Sequence, residues 1–248
     1  MKVGIDLDGT VHRSNKLIPG SYEAIKYLNT KYDVYFLTNN SSRTPSYILN
    51  KVNKILSMEF HLSRLITPLL VAQYFFKGCT ERIYIHGNKT VKKYMDDSNI
   101  LLSESLTNSK KLLIGRRGSY TRNDIEKYSN FYKKNKYIYA FNKDMTFPTK
   151  TGFAIGNGAL ISDLEKELNV EIPSFGKPDD FFINYLISKN INLDYVIGDR
   201  IDTDMKLGNK LGTKSILVET GVYNSDTKIP KELNFKICKD LKDFSLSV

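Results

Sequence analysis

Asp6 and Asp8 stand two residues apart in the stretch Val3-Gly4-Ile5-Asp6-Leu7-Asp8-Gly9-Thr10-Val11, where Val3 and Ile5 suit a sheet core and Gly9 permits a sharp exit turn. At the C-terminal edge of a parallel sheet such a pair lies where open α/β folds bind ligands. Taken alone, Asp-x-Asp-Gly is equally an acidic surface turn. Three further stretches add to it. Thr38 and Asn39 follow the apolar run Val34-Tyr35-Phe36-Leu37, Asp199 and Asp204 follow Tyr195-Val196-Ile197-Gly198, and Lys177 sits on a loop just before a helix. Four carboxylates gathered at one edge repel, at a cost on the order of 4 kcal/mol per ionised pair for a separation of about 4 Å and an effective dielectric of about 20. A cation must offset that, and all-oxygen ligands favour Mg²⁺ with retained waters and an open place for a substrate phosphate.

The elements that would carry these groups alternate between strand and helix. Ser21, as N-cap, opens a helix with Ala24, Ile25 and Leu28 at helical spacing, and Thr44-Pro45 opens another with Ile48, Leu49, Val52, Ile55 and Leu56. Thr67-Pro68 begins an apolar helix. The pattern then restarts with strands at 82–85, 111–114 and 137–141, helices near 89–95 and 122–134, and a glycine-rich turn at 152–159 before a helix near 160–168. After Gly176-Lys177-Pro178 come a helix with Phe182, Tyr185 and Leu186, and strands at 195–198 and 215–218. Apolar strands that each finish in polar residues predict an α/β fold, a doubly wound parallel sheet with its site along one edge and a smaller α+β domain in the middle third.

Composition narrows the partners. The 248 residues carry a formal net charge of +10, which raises the question of an anionic partner, yet half of that excess falls in 78–175 and half outside it. Clusters such as Lys92-Lys93, Lys110-Lys111 and Lys133-Lys134 read as solvated faces rather than a phosphate track, so no nucleic acid is expected. Cys79 and Cys238 fit no metal or redox spacing and predict free thiols in a reducing compartment. Asp6 and Asp8 interrupt any signal-peptide pattern, and the apolar stretch around Leu69 to Phe76 is far short of the ~20 residues a membrane span needs, which predicts a cytoplasmic protein with no membrane partner. A homo-oligomer is compatible with the sequence.

Four motifs in order along almost the whole chain carry a resemblance: Asp6-Leu7-Asp8-Gly9-Thr10, Thr38-Asn39-Asn40-Ser41-Ser42-Arg43-Thr44, Gly176-Lys177-Pro178, and Gly198-Asp199-x-x-x-Thr203-Asp204 with Gly208, Gly212 and Thr220-Gly221-Val222 beyond. The chain resembles the haloacid dehalogenase (HAD) superfamily of phosphohydrolases, in its NagD-type or 4-nitrophenylphosphatase-like branch, whose pattern Asn142-x-Asp144 and Gly156-x-Gly158-Ala159 also match. The resemblance implies a Rossmann-like core at 1–77 and 176–248 with a cap at 78–175, and an Mg²⁺-dependent phosphomonoesterase acting on a small-molecule phosphate ester. It gives Asp6 the role of nucleophile and Asp8 that of general acid and base. Thr38, the Asn39 amide and Lys177 would hold phosphate, and Asp6, the Asp8 carbonyl and Asp199 would hold the metal, with Asp204 behind them. A phosphotransferase using the same intermediate, or a nucleic-acid-binding protein on a HAD-like fold, are the competing expectations. The branch commonly carries an Asp shortly after the glycine matched by Gly115, where this chain has Arg116-Arg117, and that bears on which substrate is preferred. His12, His61 and His86 form no cluster in the sequence and are expected to be ordinary surface or satisfied histidines.

Overall fold

The computed structural model describes residues 1–135, 137–149, 152–223 and 229–248. Strand β1 (Lys2–Asp6) leads into the short antiparallel pair β2 (His12–Arg13) and β3 (Lys16–Leu17), then α1 (Ser21–Lys31), β4 (Asp33–Leu37), α2 (Pro45–Leu56), β5 (Leu65–Ile66) and α3 (Pro68–Phe76). Next come β6 (Ile83–His86), α4 (Lys89–Asp97), β7 (Lys111–Ile114), α5 (Arg122–Asn135), β8 (Ile138–Ala140), β9 (Thr146–Thr149), β10 (Gly152–Ile155) and α6 (Asn157–Leu168). The remaining elements are α7 (Asp180–Ser188), β11 (Tyr195–Gly198), α8 (Lys206–Leu211), β12 (Lys214–Val218), β13 (Lys236–Cys238) and α9 (Leu241–Ser245).

Two compact units result. The first, Met1–Thr38, Ser46–Ile66 and Ile183–Val248, is built on a six-stranded sheet in the order β13-β12-β11-β1-β4-β5, every pair of which is parallel. In chain order along the sheet this is 3-2-1-4-5-6 read from the β5 edge, the arrangement of dinucleotide-binding α/β sheets, and its direction reverses at the pair β1 and β11. Val3, Ile5, Val34, Phe36, Ile197 and Ile216 are buried in its core, as continuous apolar strands covered on both faces must be. The second unit, Asn39–Pro45 and Thr67–Phe182, holds the parallel sheet β6-β7-β8 and the antiparallel pair β9-β10. Leu112, Ile114, Ile125, Tyr128, Leu160 and Leu164 are buried in its core.

Local differences from the sequence reading have simple causes. Gly20, in the left-handed region at φ 82°, precedes α1 without a side-chain cap, so Ser21 is the first helical residue rather than the N-cap, and its hydroxyl faces the Thr10 carbonyl at 3.5 Å. Helix α6 starts at Asn157, which places Gly158 inside a helix instead of a turn. The short strands β5 and β13 were not expected, because two or three residues carry too little periodicity to register and their pairing is decided by the neighbouring strand. Cys79 and Cys238 are free thiols. No helix among the described residues is long and apolar enough to cross a membrane.

Candidate active site

Asp6 is the last residue of β1, and Ile5 lies beside Ile197 of β11, so Asp6 and Asp199 leave the sheet side by side at the point where strand order reverses. Asp204 arrives from a π-helical turn over Ile201–Met205, its Oδ2 accepting a hydrogen bond from Arg200 N at 3.2 Å. One oxygen from each of Asp6, Asp199 and Asp204 lies within 4.8 Å of the others, and all three residues are buried. Glycines make that approach feasible: a Cβ on Gly198 would stand 2.1 Å from Asp204 Cγ, and one on Gly221 1.8 Å from Asp199 Oδ2. Gly9, at φ +105°, is required twice over, because its Cβ would also meet Asp199 Oδ2 at 2.5 Å.

The electrostatics of this group call for a cation. Burial, then the neighbouring charges of Asp6 and Asp204, push the Asp199 carboxyl well above its ordinary range. Its Oδ2 accepts a hydrogen bond from Val222 N at 2.7 Å, but its Oδ1 is buried with no hydrogen-bond partner among the described residues. A buried carboxylate oxygen without a donor is costly. Three converging carboxylates and an unsatisfied oxygen fit a hard divalent ion, and Mg²⁺ in particular takes one or two carboxylates and keeps open positions.

Asp8 lies outside that cluster. It follows the end of β1, its side chain 32% exposed, with Oδ1 3.5 Å from His12 Nδ1. His12 is buried, and that burial, followed by the charge of Lys51, pushes its ring down to about 3, so it is neutral and the contact with Asp8 is no ion pair. His12 Nδ1 has no hydrogen-bond partner among the described residues. Its placement against a candidate catalytic carboxylate was not legible in the sequence, where three scattered histidines form no pattern. Thr38 is buried just beyond β4, its N–H donating to Ile66 O at 3.1 Å.

In the second unit Asn39 and Lys177 are brought together across 138 positions of sequence. Lys177 N donates to Asn39 Oδ1 at 2.7 Å, while Asn39 Nδ2 donates to Lys177 O at 3.1 Å and to Asp144 Oδ1 at 2.8 Å. Both residues are buried. The part played by Asp144 was visible only as a motif match. Arg116 and Arg117 are exposed just past β7, and the Arg116 guanidinium lies 3.6 Å from the centroid of the Phe147 ring.

Known families match both ends of the chain. One family model, described as haloacid dehalogenase-like hydrolase, fits residues 3–101, and a second, described as HAD-hydrolase-like, fits 174–244. Together they cover more than half of the protein. The chain belongs to the HAD-like hydrolases.

Among other HAD-like proteins, an acid sugar phosphatase of Staphylococcus saprophyticus is 25% identical over 185 residues, 73% of this chain and 70% of the relative. A p-nitrophenyl phosphatase from Archaeoglobus fulgidus superposes with a TM-score of 0.84 at 21% identity, covering 100% of this chain and 99% of the other. A glycerol phosphate phosphatase from Mycobacterium tuberculosis, solved in complex with magnesium, gives 0.81 at 22% identity over 97% and 76%. At those identities the two structures establish the shared fold. This HAD-like hydrolase is thus a phosphatase, an α/β protein with a parallel sheet core.

Proposed function

We propose that the protein is an Mg²⁺-dependent phosphomonoesterase that hydrolyses small soluble phosphate esters through an aspartyl-phosphate. The observation that carries this reading is the buried carboxylate cluster, in which Asp6 stands beside Asp199, whose Oδ1 lacks a donor among the described residues. An Asp6 oxygen attacks phosphorus and the ester P–O bond breaks, while Asp8 gives its proton to the leaving oxygen. A water molecule then surrenders a proton to Asp8 and attacks the phosphorus of the aspartyl-phosphate. The acyl–phosphate bond breaks, releasing inorganic phosphate and restoring the Asp6 carboxylate.

Thr38, the Asn39 amide and Lys177 hold the phosphoryl oxygens and balance their charge. Asp6, the Asp8 carbonyl and Asp199 hold the ion, with Asp204 behind them, and bound Mg²⁺ supplies charge neutralisation for the phosphoryl group. The magnesium found with the mycobacterial glycerol phosphate phosphatase supports that assignment, and the names of the relatives support a small substrate. In this reading 1–77 and 176–248 form the hydrolase core and 78–175 an inserted cap that selects the substrate.

Phosphate release measured over sugar phosphates, nucleoside monophosphates, phosphoglycolate and 4-nitrophenyl phosphate tests the reading. Turnover is expected with Mg²⁺, none in EDTA, and inhibition by Ca²⁺, whose larger and more flexible shell suits in-line transfer poorly. Full activity after thorough metal removal would overturn it.

A further inference from the structure

We infer that Asn142 is a positioning residue for the phosphate-binding pair Asn39 and Lys177, acting as the middle link of a relay of buried asparagines anchored on the end of β7. The inference rests on the phosphatase reading above. Asn142 Nδ2 donates both its hydrogens, to Asn39 O at 2.7 Å and to Ser41 Oγ at 3.0 Å, and its Oδ1 accepts from Asp144 N at 3.2 Å. Asn39 in turn holds Lys177 through both backbone groups and closes a ring onto Asp144. On the other side Asn157 Nδ2 donates to Asn142 O at 2.8 Å and to Ile114 O, the last residue of β7, at 3.2 Å. Asn39, Asn142, Asn157 and Lys177 are all buried.

This arrangement does more than satisfy buried amides. The Asn39 carbonyl is pinned by Asn142 and its side chain by Lys177 and Asp144, which restrains rotation about its Cα–C and Cα–Cβ bonds. Asn142 thereby helps fix the Asn39 Cα, the point from which the adjoining N–H, the group assigned to phosphate, is presented. The 142–145 turn is itself held against α6, with Gly158 N donating to Asp144 O at 2.9 Å and Gly156 N to Met145 O at 2.7 Å. A Cβ on Gly156 would stand 2.0 Å from Asp144 O and one on Gly158 2.2 Å from Lys143 O. Gly176 is needed where the links converge, since its Cβ would lie 2.8 Å from Asn39 Oδ1 and 2.9 Å from Asn142 Cβ. Three motif glycines thus answer to one requirement, the close approach of the chains that the relay joins.

Positioning has a distinct signature in kinetics. The carboxylate cluster lies in the other compact unit, so a fault in the relay should leave metal binding untouched while spoiling phosphate geometry. The test is Asn142→Asp, isosteric but without the two donated hydrogens, in the full-length Mg²⁺-loaded enzyme. Since displacement of about 1 Å costs about 10²-fold, kcat for 4-nitrophenyl phosphate should fall by about 10²-fold and competitive inhibition by inorganic phosphate should weaken. The Mg²⁺ concentration for half-maximal activity should not move.

Combined with Asn39→Ser, the loss should be no greater than that of Asn39→Ser alone, because residues acting through one another are not additive. If Asn142→Asp does not fold, as judged by its melting curve, Asn142→Ser is held to the same outcomes. A kcat within about threefold of wild type, a shifted Mg²⁺ requirement, or a double variant losing the product of both single effects would each overturn the inference. Wild type inactive on every phosphate ester, or Asp6→Asn active, would instead overturn the phosphatase reading itself.

Discussion

Replacing Asp199 by Asn tests the electrostatic account of the carboxylate cluster, because it removes one charge while keeping shape and the hydrogen bond from Val222 N. With oxygens within 4.8 Å of one another and an effective dielectric of about 20, each ionised pair among Asp6, Asp199 and Asp204 repels by about 3.5 kcal/mol or more. Asp199 belongs to two of the three pairs, so repulsion of about 7 kcal/mol involves its charge when all three are ionised. The upward shift of its carboxyl means that the metal-free protein relieves part of this by binding a proton wherever the pH lies below the raised value.

The folded state then holds that proton more tightly than the unfolded chain, so metal-free stability declines as pH rises from the ordinary carboxyl value of 3.8 through the raised one. At neutral pH in EDTA, relief of about 1–2 kcal/mol should raise the melting temperature of Asp199→Asn by about 3–6 °C over wild type. With Mg²⁺ at about 100 times its Kd the order should reverse, wild type gaining about 2.7 kcal/mol, or about 5–10 °C, while the variant gains little. Thermal shift measured in EDTA and in Mg²⁺ reads both effects. A variant less stable than wild type in EDTA, or one that responds to Mg²⁺ as wild type does, would refute the argument.

Asp6→Asn should abolish turnover of 4-nitrophenyl phosphate without lowering the melting temperature, and activity above about a tenth of wild type would remove Asp6 from its role as nucleophile. Alanine at both Arg116 and Arg117 should raise KM for substrates with a second anionic group while leaving 4-nitrophenyl phosphate nearly unchanged, as expected for guanidinium contacts away from the reacting atoms. Equal effects on both substrates would show that these arginines do not select. His12, held down to about 3 by burial, keeps its full contribution above the unfolded value of 6.5 and loses it as pH falls toward 3. His12→Phe should therefore flatten acid unfolding by about 2 kcal/mol at pH 5, read from urea melts at pH 7 and pH 5.

Much of the core could be read because its logic is local. Continuous apolar runs such as Tyr195–Gly198 and Val34 to Leu37 declare buried parallel strands, and the polar residues that follow each run declare the edge. What could not be read is fixed by partners distant in sequence. The two residues of β5 become a strand only because Phe36 and Leu37 lie beside them, and β13 only through Ile216 to Val218. The candidate site divides in the same way. Asp6, Asp199 and Asp204 announce themselves at strand ends, whereas His12 against Asp8 and the bonds among Asn39, Asn142 and Asn157 depend on side-chain directions that spacing does not encode.

The position of β1 between β4 and β11 has a consequence for biosynthesis. Its register with β4 joins Val3 to Val34, but its register with β11 joins Val3 to Tyr195, so one flank of the central strand waits until nearly four-fifths of the chain has left the ribosome. Until then the Asp6 strand presents open N–H and C=O groups on that side, the condition under which nascent sheets pair with the wrong partner. Synthesis stalled anywhere in the middle unit should leave an aggregation-prone amino-terminal fragment, and a chaperone would be needed longest at the strand that carries the proposed nucleophile.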